Sequence, residues 1–112
     1  MTPIGASQQT LLLNGPFDAH AAEKLRPEFA RHADNGSGDL VLDLAGVDFI
    51  DSSGIGAIVF LYKRLVGQRR LLVLTGASGQ PRELLRFLRI DRTITVVDTL
   101  QPSPVTGITV GA

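Results

Sequence analysis

Apolar positions along the chain alternate between short extended runs and longer helical stripes. Gln9 to Leu13 ends in three leucines before the turn Asn14-Gly15-Pro16, which predicts a short strand. Ala22, Leu25, Phe29 and Ala33 then recur at three- and four-residue spacing. That spacing predicts a helix from Ala19 to about Ala33, with Asp18 as its N-cap. Pro27 falls inside this stripe and predicts a kink or two shorter segments, because it removes one helical hydrogen bond. Asn35-Gly36-Ser37-Gly38 reads as a loop, and Asp39 to Leu44 alternates polar with apolar residues as a strand does. After the turn Ala45-Gly46-Val47, Ser52 or Ser53 is expected to cap a second helix. It runs to about Val66, with Ile55, Ile58, Val59, Tyr62, Leu65 and Val66 inward and Gly67 at its end. Leu71 to Leu74 is a continuous apolar run, as in a strand covered on both faces. Pro81 suits the first turn of a third helix over Arg82 to Leu88, and Ile94 to Val97 reads as another strand. Residues 101–112 contain two prolines and read as a loose tail, in which Thr106 to Val110 could form an edge strand.

Strands separated by helices predict an α/β fold: a mostly parallel sheet of four to five strands with right-handed crossovers and helices packed against it. The 112 residues suit one domain, over residues 1–100, with one core. The chain has no Cys, which excludes disulfides, a thiolate nucleophile and Cys-based metal sites. Met1 to Leu13 lacks a basic start and a long apolar run, and no stretch approaches the roughly 20 apolar residues of a membrane span. The expectation is therefore a cytoplasmic protein with no membrane insertion.

Formal charge is zero but uneven along the sequence. Residues 1–56 carry three basic against eight acidic residues, and residues 57–112 carry the reverse. Such asymmetry can steer a partner, or can simply be a mixed surface segregated in sequence. The basic residues lack interleaved aromatics, so nucleic acid is not an expected partner.

The chemistry gathers at Phe49-Ile50-Asp51-Ser52-Ser53-Gly54-Ile55-Gly56. Two hydroxyls stand at a strand-to-helix junction behind an acid. Gly54 and Gly56 in the first turns of a helix each cost up to about 1 kcal/mol against Ala. They either serve a tight turn or leave room for a partner's backbone or a nucleotide. A Ser at a helix start is ordinarily a cap, yet the same place tolerates phosphate, because the helix dipole and free N–H groups favour negative charge. His20 and His32 are expected on a solvated helix face, and neither is marked as a base for a Ser nucleophile. The dinucleotide fingerprint lacks its third Gly, and no phosphate-binding Gly-Lys-Ser/Thr is present. Asp39, Asp43, Asp48 and Asp51 read as turn caps facing solvent rather than a cation site, so no catalytic residue, metal or cofactor is assigned.

The run from Val41 to Ile58, with Asp51-Ser52-Ser53-Gly54 at its centre, resembles the signature of STAS-domain anti-sigma factor antagonists. Gly15-Pro16-Phe17-Asp18 resembles that family's earlier turn, and the resemblance covers roughly residues 9–98. It implies a STAS fold and a partner-switching protein, not an enzyme. It also implies phosphate on Ser53 from an anti-sigma factor serine kinase, and a phosphatase acting on phospho-Ser53. Asp18, Asp51, Ser52, Gly54, Ile55, Gly56, Lys63 and Arg64 would touch the partner. A homodimer is left open. The alternative is a STAS scaffold subunit of a stress-signalling or lipid-transport complex, in which the Ser pair only caps a helix. Relatives of this kind have a further strand before the one at Gln9 and end in a helix, and this sequence departs from both.

Overall fold

Leucines on one side of three strands define the core. Leu11 and Leu13, then Leu40, Leu42 and Leu44, then Leu72 and Leu74 are all buried, alternating with residues that point to the other face. The computed structural model describes residues 8–98 and the backbone of 108–111. The elements are β1 (Gln9–Asn14), α1 (Ala19–Asn35), β2 (Leu40–Gly46), α2 (Ser52–Gly67), β3 (Leu72–Thr75), α3 (Gly79–Phe87), a 3₁₀ turn (Ile90–Arg92), β4 (Thr95–Val97) and β5 (Ile108–Gly111). The sheet has five strands in the order β4-β3-β2-β1-β5. Every pairing is parallel. The first three crossovers step the same way across the sheet, so right-handedness puts α1, α2 and α3 on one face. Phe17, Leu25, Phe29, Ile58, Leu61, Leu65 and Leu85 from that side join the strand leucines in a single core.

The predicted α/β architecture is observed, with local corrections. α1 runs unbroken through Pro27. That proline is exposed, so the carbonyl left without a donor faces water and the missing bond is tolerated. α2 is not capped by Ser52 or Ser53: both lie inside the helix, and Asp51 is the N-cap. Val66 and Leu71 are exposed. Val66 turns away as α2 ends in a tight turn that places Arg69 in the left-handed region, and Leu71 precedes β3. α3 starts at Gly79, two residues ahead of Pro81, which is buried. His20 is exposed as expected, but His32 faces inward and is only 7% exposed. The strand considered at Thr106 to Val110 is seen as β5, at the sheet edge beside β1. The rest of the tail reading falls on residues 101–107 and 112, and the question of a strand before Gln9 on residues 1–7, all outside the described residues.

Candidate functional site

β1 and β2 end together. A register shift between Leu12 and Asn14 aligns Asn14 with Gly46, and Gly15 N–H donates to the Gly46 carbonyl at 2.9 Å. Beyond this point the two chains separate and meet again in a short parallel bridge, Phe17 with Ile50. Phe17 N–H donates to the Phe49 carbonyl at 2.7 Å, and Asp51 N–H donates to the Phe17 carbonyl at 3.3 Å. The next residue on each side is a helix cap, so Asp18 and Asp51 stand side by side at the starts of α1 and α2. Asp18 Oδ1 accepts from Ala21 N–H at 3.0 Å. Asp51 Oδ1 accepts from Ser53 N–H at 2.8 Å and from Gly54 N–H at 3.1 Å.

This capping decides what the two hydroxyls can do. An Asp at the N-cap takes over the role a Ser would otherwise have. Ser52 is exposed and Ser53 half-buried in the first turn of α2, with their hydroxyls not required for the cap. The two first-turn N–H groups bound by Asp51 are no longer available to an added anion, and the cap itself is negative.

The two glycines separate in role. A Cβ on Gly54 would collide with the Phe17 carbonyl oxygen and lie 3.0 Å from both Ile50 Cγ2 and Phe17 Cγ. Gly54 is therefore needed inside the protein, where α2 crosses the Phe17–Ile50 bridge. Gly56 meets nothing closer than Arg26 Nη2 at 3.7 Å and is half-exposed, so its missing side chain opens the outer surface. Ile55 is buried and shapes the turn from within.

The structure gathers Asp18, Asp51, Ser52, Ser53, Gly54, Ile55 and Gly56 at one end of the α1–α2 layer. Lys63 and Arg64 are elsewhere: at 1.5 Å per residue, Lys63 is about 15 Å along α2 from Ser53. Arg64 is engaged with α1, pairing with Asp34 at 2.8 Å and lying 5.3 Å from the centre of the Phe60 ring. Asp43 holds a turn, accepting from Ala45 N–H at 2.9 Å, whereas Asp39, expected as a turn cap, accepts from Leu71 N–H at 3.0 Å and ties the start of β2 to the residue before β3.

Sequence reasoning missed Gln80. From the start of α3 its amide clasps Ile50 on both sides, accepting from the Ile50 N–H at 2.9 Å and donating to the Ile50 carbonyl at 2.8 Å. No local pattern points to it, since its partner lies 30 residues away. Exposed Phe49, at 44%, flanks the clasp.

This capped Asp-Ser-Ser-Gly turn after a parallel strand lies within a sequence match to the STAS domain family over residues 8–102. The chain belongs to that family. Among relatives, this STAS domain is 33% identical over 75 residues to BtrV of Bordetella bronchiseptica, a protein described as a candidate anti-sigma factor antagonist. The match spans 67% of this chain and 65% of that protein. The anti-sigma factor antagonist SpoIIAA in its unphosphorylated form has TM-score 0.68 and 20% identity, over 89% of this chain and 86% of that one. The phosphorylated form of SpoIIAA, a cell fate determinant of Bacillus, gives 0.69 and 19%, over 89% of both chains. A sulfate transporter family protein from Wolinella succinogenes gives 0.75 and 19%, over 88% of this chain and 83% of that one. At these identities the structural likeness is one of fold. Among the described residues, no helix is long and apolar enough to cross a membrane.

Proposed function

We propose that this STAS domain is an anti-sigma factor antagonist whose binding is switched by phosphorylation of Ser53. The observation that carries the reading is the Asp51 cap: it frees the hydroxyls of a half-exposed helix turn while leaving the fold independent of them. The relationship to BtrV supports the antagonist role, and SpoIIAA provides a fold precedent that exists in both phosphorylation states. In this reading the unphosphorylated domain binds a kinase-type anti-sigma factor in the cytoplasm. Asp18, Asp51, Ser52 and Gly56 form the surface, Gly54 and Ile55 act through the shape of the turn, and Lys63 and Arg64 extend the contact along α2. The kinase brings ATP and Mg²⁺. Ser53 Oγ bonds to the γ-phosphorus, the bond to the β-phosphate oxygen breaks, the hydroxyl proton passes to a base of the kinase, and ADP leaves. The domain is substrate and ligand here, not catalyst. Phosphate adds about −1.5 to −2 charges beside Asp51 and dissociates the partner. A phosphatase restores the hydroxyl.

The test is phosphosite mapping by mass spectrometry on the protein from its own host across growth and stress conditions. Phosphate on Ser53, absent from Ser53→Ala and retained in Ser52→Ala, is expected. A Ser53 that stays unmodified throughout would sink the switch. A second reading, a scaffold subunit without a switch, draws on the fold shared with the transporter-family protein. It would gain if the unmodified protein copurified with transport or stress-complex subunits.

A further inference from the structure

Ser53 as phosphoacceptor raises an electrostatic problem. The caps at this end, Asp51 and Asp18, are negative, and Asp51 already occupies the Ser53 and Gly54 N–H groups. A phosphate there needs a cation. Ser53, Gly56 and Phe60 lie at i, i+3 and i+7 and so share one face of α2. Arg26 of α1 reaches across that face. Its guanidinium carbon is 5.9 Å from the centre of the Phe60 ring, and its Nη2 is the nearest atom to the open space over Gly56, at 3.7 Å from where a Cβ would stand. Neighbouring side-chain positions three apart on a helix are about 5–6 Å from one another, so the guanidinium rests one turn from Ser53. Among the described residues no carboxylate lies within ion-pairing distance of Arg26, in contrast to Arg31, Arg64 and Arg82. Glu23, one turn earlier on α1, is exposed and makes no ion pair with it.

We propose that Arg26 is the intramolecular partner of phospho-Ser53: the phosphate draws the guanidinium off Phe60, across the gap left by Gly56, into a charge-assisted hydrogen-bonded pair. Guanidinium suits this role, since its planar fork can donate two parallel bonds to phosphate. The pairing makes the switch two-sided. Before phosphorylation, Arg26 is a free cation over an aromatic ring on the docking face. Afterwards it is neutralised and Phe60 keeps only Arg64 over its ring, so the surface changes beyond the modified residue. This inference rests on the phosphoacceptor reading of Ser53.

The test uses the full chain with phosphoserine installed at position 53 by genetic encoding, which requires no knowledge of the kinase. The phosphorus NMR signal is titrated between pH 4 and 8 in the otherwise unchanged chain and in Arg26→Ala, Arg26→Lys and Arg64→Ala. Free phosphoserine has its second pKa near 6. Arg26→Ala is expected to raise the apparent value by roughly half a unit or more, because an adjacent cation favours the dianion. Arg26→Lys should keep part of the effect, and Arg64→Ala, which removes the other guanidinium beside Phe60 from a position further along the helix, should move the titration much less. Coincident titrations of the parent and Arg26→Ala, both shown folded by their amide spectra, would overturn the pairing. An equal shift from Arg64→Ala would also overturn it, by showing a general field instead of a contact. Because the phosphate is installed by design, either failure removes only the pairing. Absence of phosphate on Ser53 in the host removes the reading beneath it.

Discussion

Gly54 and Gly56 are two positions apart and chemically identical, yet the structure gives them opposite consequences. A methyl group at Gly54 has to displace the Phe17 carbonyl or the Ile50 side chain, and both belong to the bridge that aligns the two helix caps. Gly54→Ala is expected to lower unfolding stability by about 1–3 kcal/mol, the usual cost of overpacking. At Gly56 the same methyl enters open space, and the helix regains the up to about 1 kcal/mol that Gly forfeits against Ala. Gly56→Ala should therefore unfold at an equal or higher denaturant concentration than the parent. Chemical denaturation of the three proteins side by side reads both effects, and similar losses in both variants would contradict the assignment. The sequence marked both glycines as costly. It could not divide them, because the atom that forbids a side chain at Gly54 belongs to Phe17, far away in the chain.

Among the elements, α2 begins where it does because Asp51, not either serine, satisfies its first N–H groups. Removing that carboxylate in Asp51→Ala should cost about 1 kcal/mol, within the roughly 0.5–2 kcal/mol seen for N-caps. For a domain of this size, that is a fall in melting temperature of roughly 4–8 °C. Ser52→Ala and Ser53→Ala should each melt close to the parent. A larger loss in a serine variant than in Asp51→Ala would return the cap to the hydroxyls. The helices and strands themselves were legible in the sequence because their signals are local: alternation in β2, three- and four-residue spacing in α1, and the cap at Asp18, whereas the cap of α2 was expected at Ser52 or Ser53 and is Asp51. What escaped was non-local. The Gln80 clasp on Ile50 joins the start of α3 to the end of the β2–α2 connection. Arg64, assigned to the partner surface, is tied to α1 through Asp34 and lies far from the serine turn. Pro27 misled in the other direction, since its freed carbonyl happens to face water.

For the whole molecule, the buried end of α1 carries a pH-sensitive weakness. His32 is enclosed in the core layer, and its Nε2 has no hydrogen-bond partner. Burial first, and the nearby Arg31 second, lower its pKa below the ordinary value, with Glu28 opposing. The unfolded chain, titrating near the usual 6.5, takes up the proton before the folded one does. Stability is thus fully present above about pH 6.5, is lost as pH falls from there through the folded value, and levels off once both states are protonated. Melting temperatures measured between pH 8 and 5 should decline on the acid side, and His32→Leu should lack that part of the decline. An identical slope in both proteins would remove His32 as its source. The sequence placed His32 on a solvated face because its spacing from Phe29 and Ala33 alone does not reveal how deeply α1 is overlaid. The clasp of Gln80 on Ile50 carries a different kind of consequence. The serine turn is completed by three stretches of chain, around Phe17, Ile50 and Gln80, that come together only on folding. A linear peptide copied from residues 47–58 has the letters of the motif but not its shape. An enzyme acting on this turn, as the proposed switch requires, would read a conformation, and unfolded or half-made copies would be silent to it.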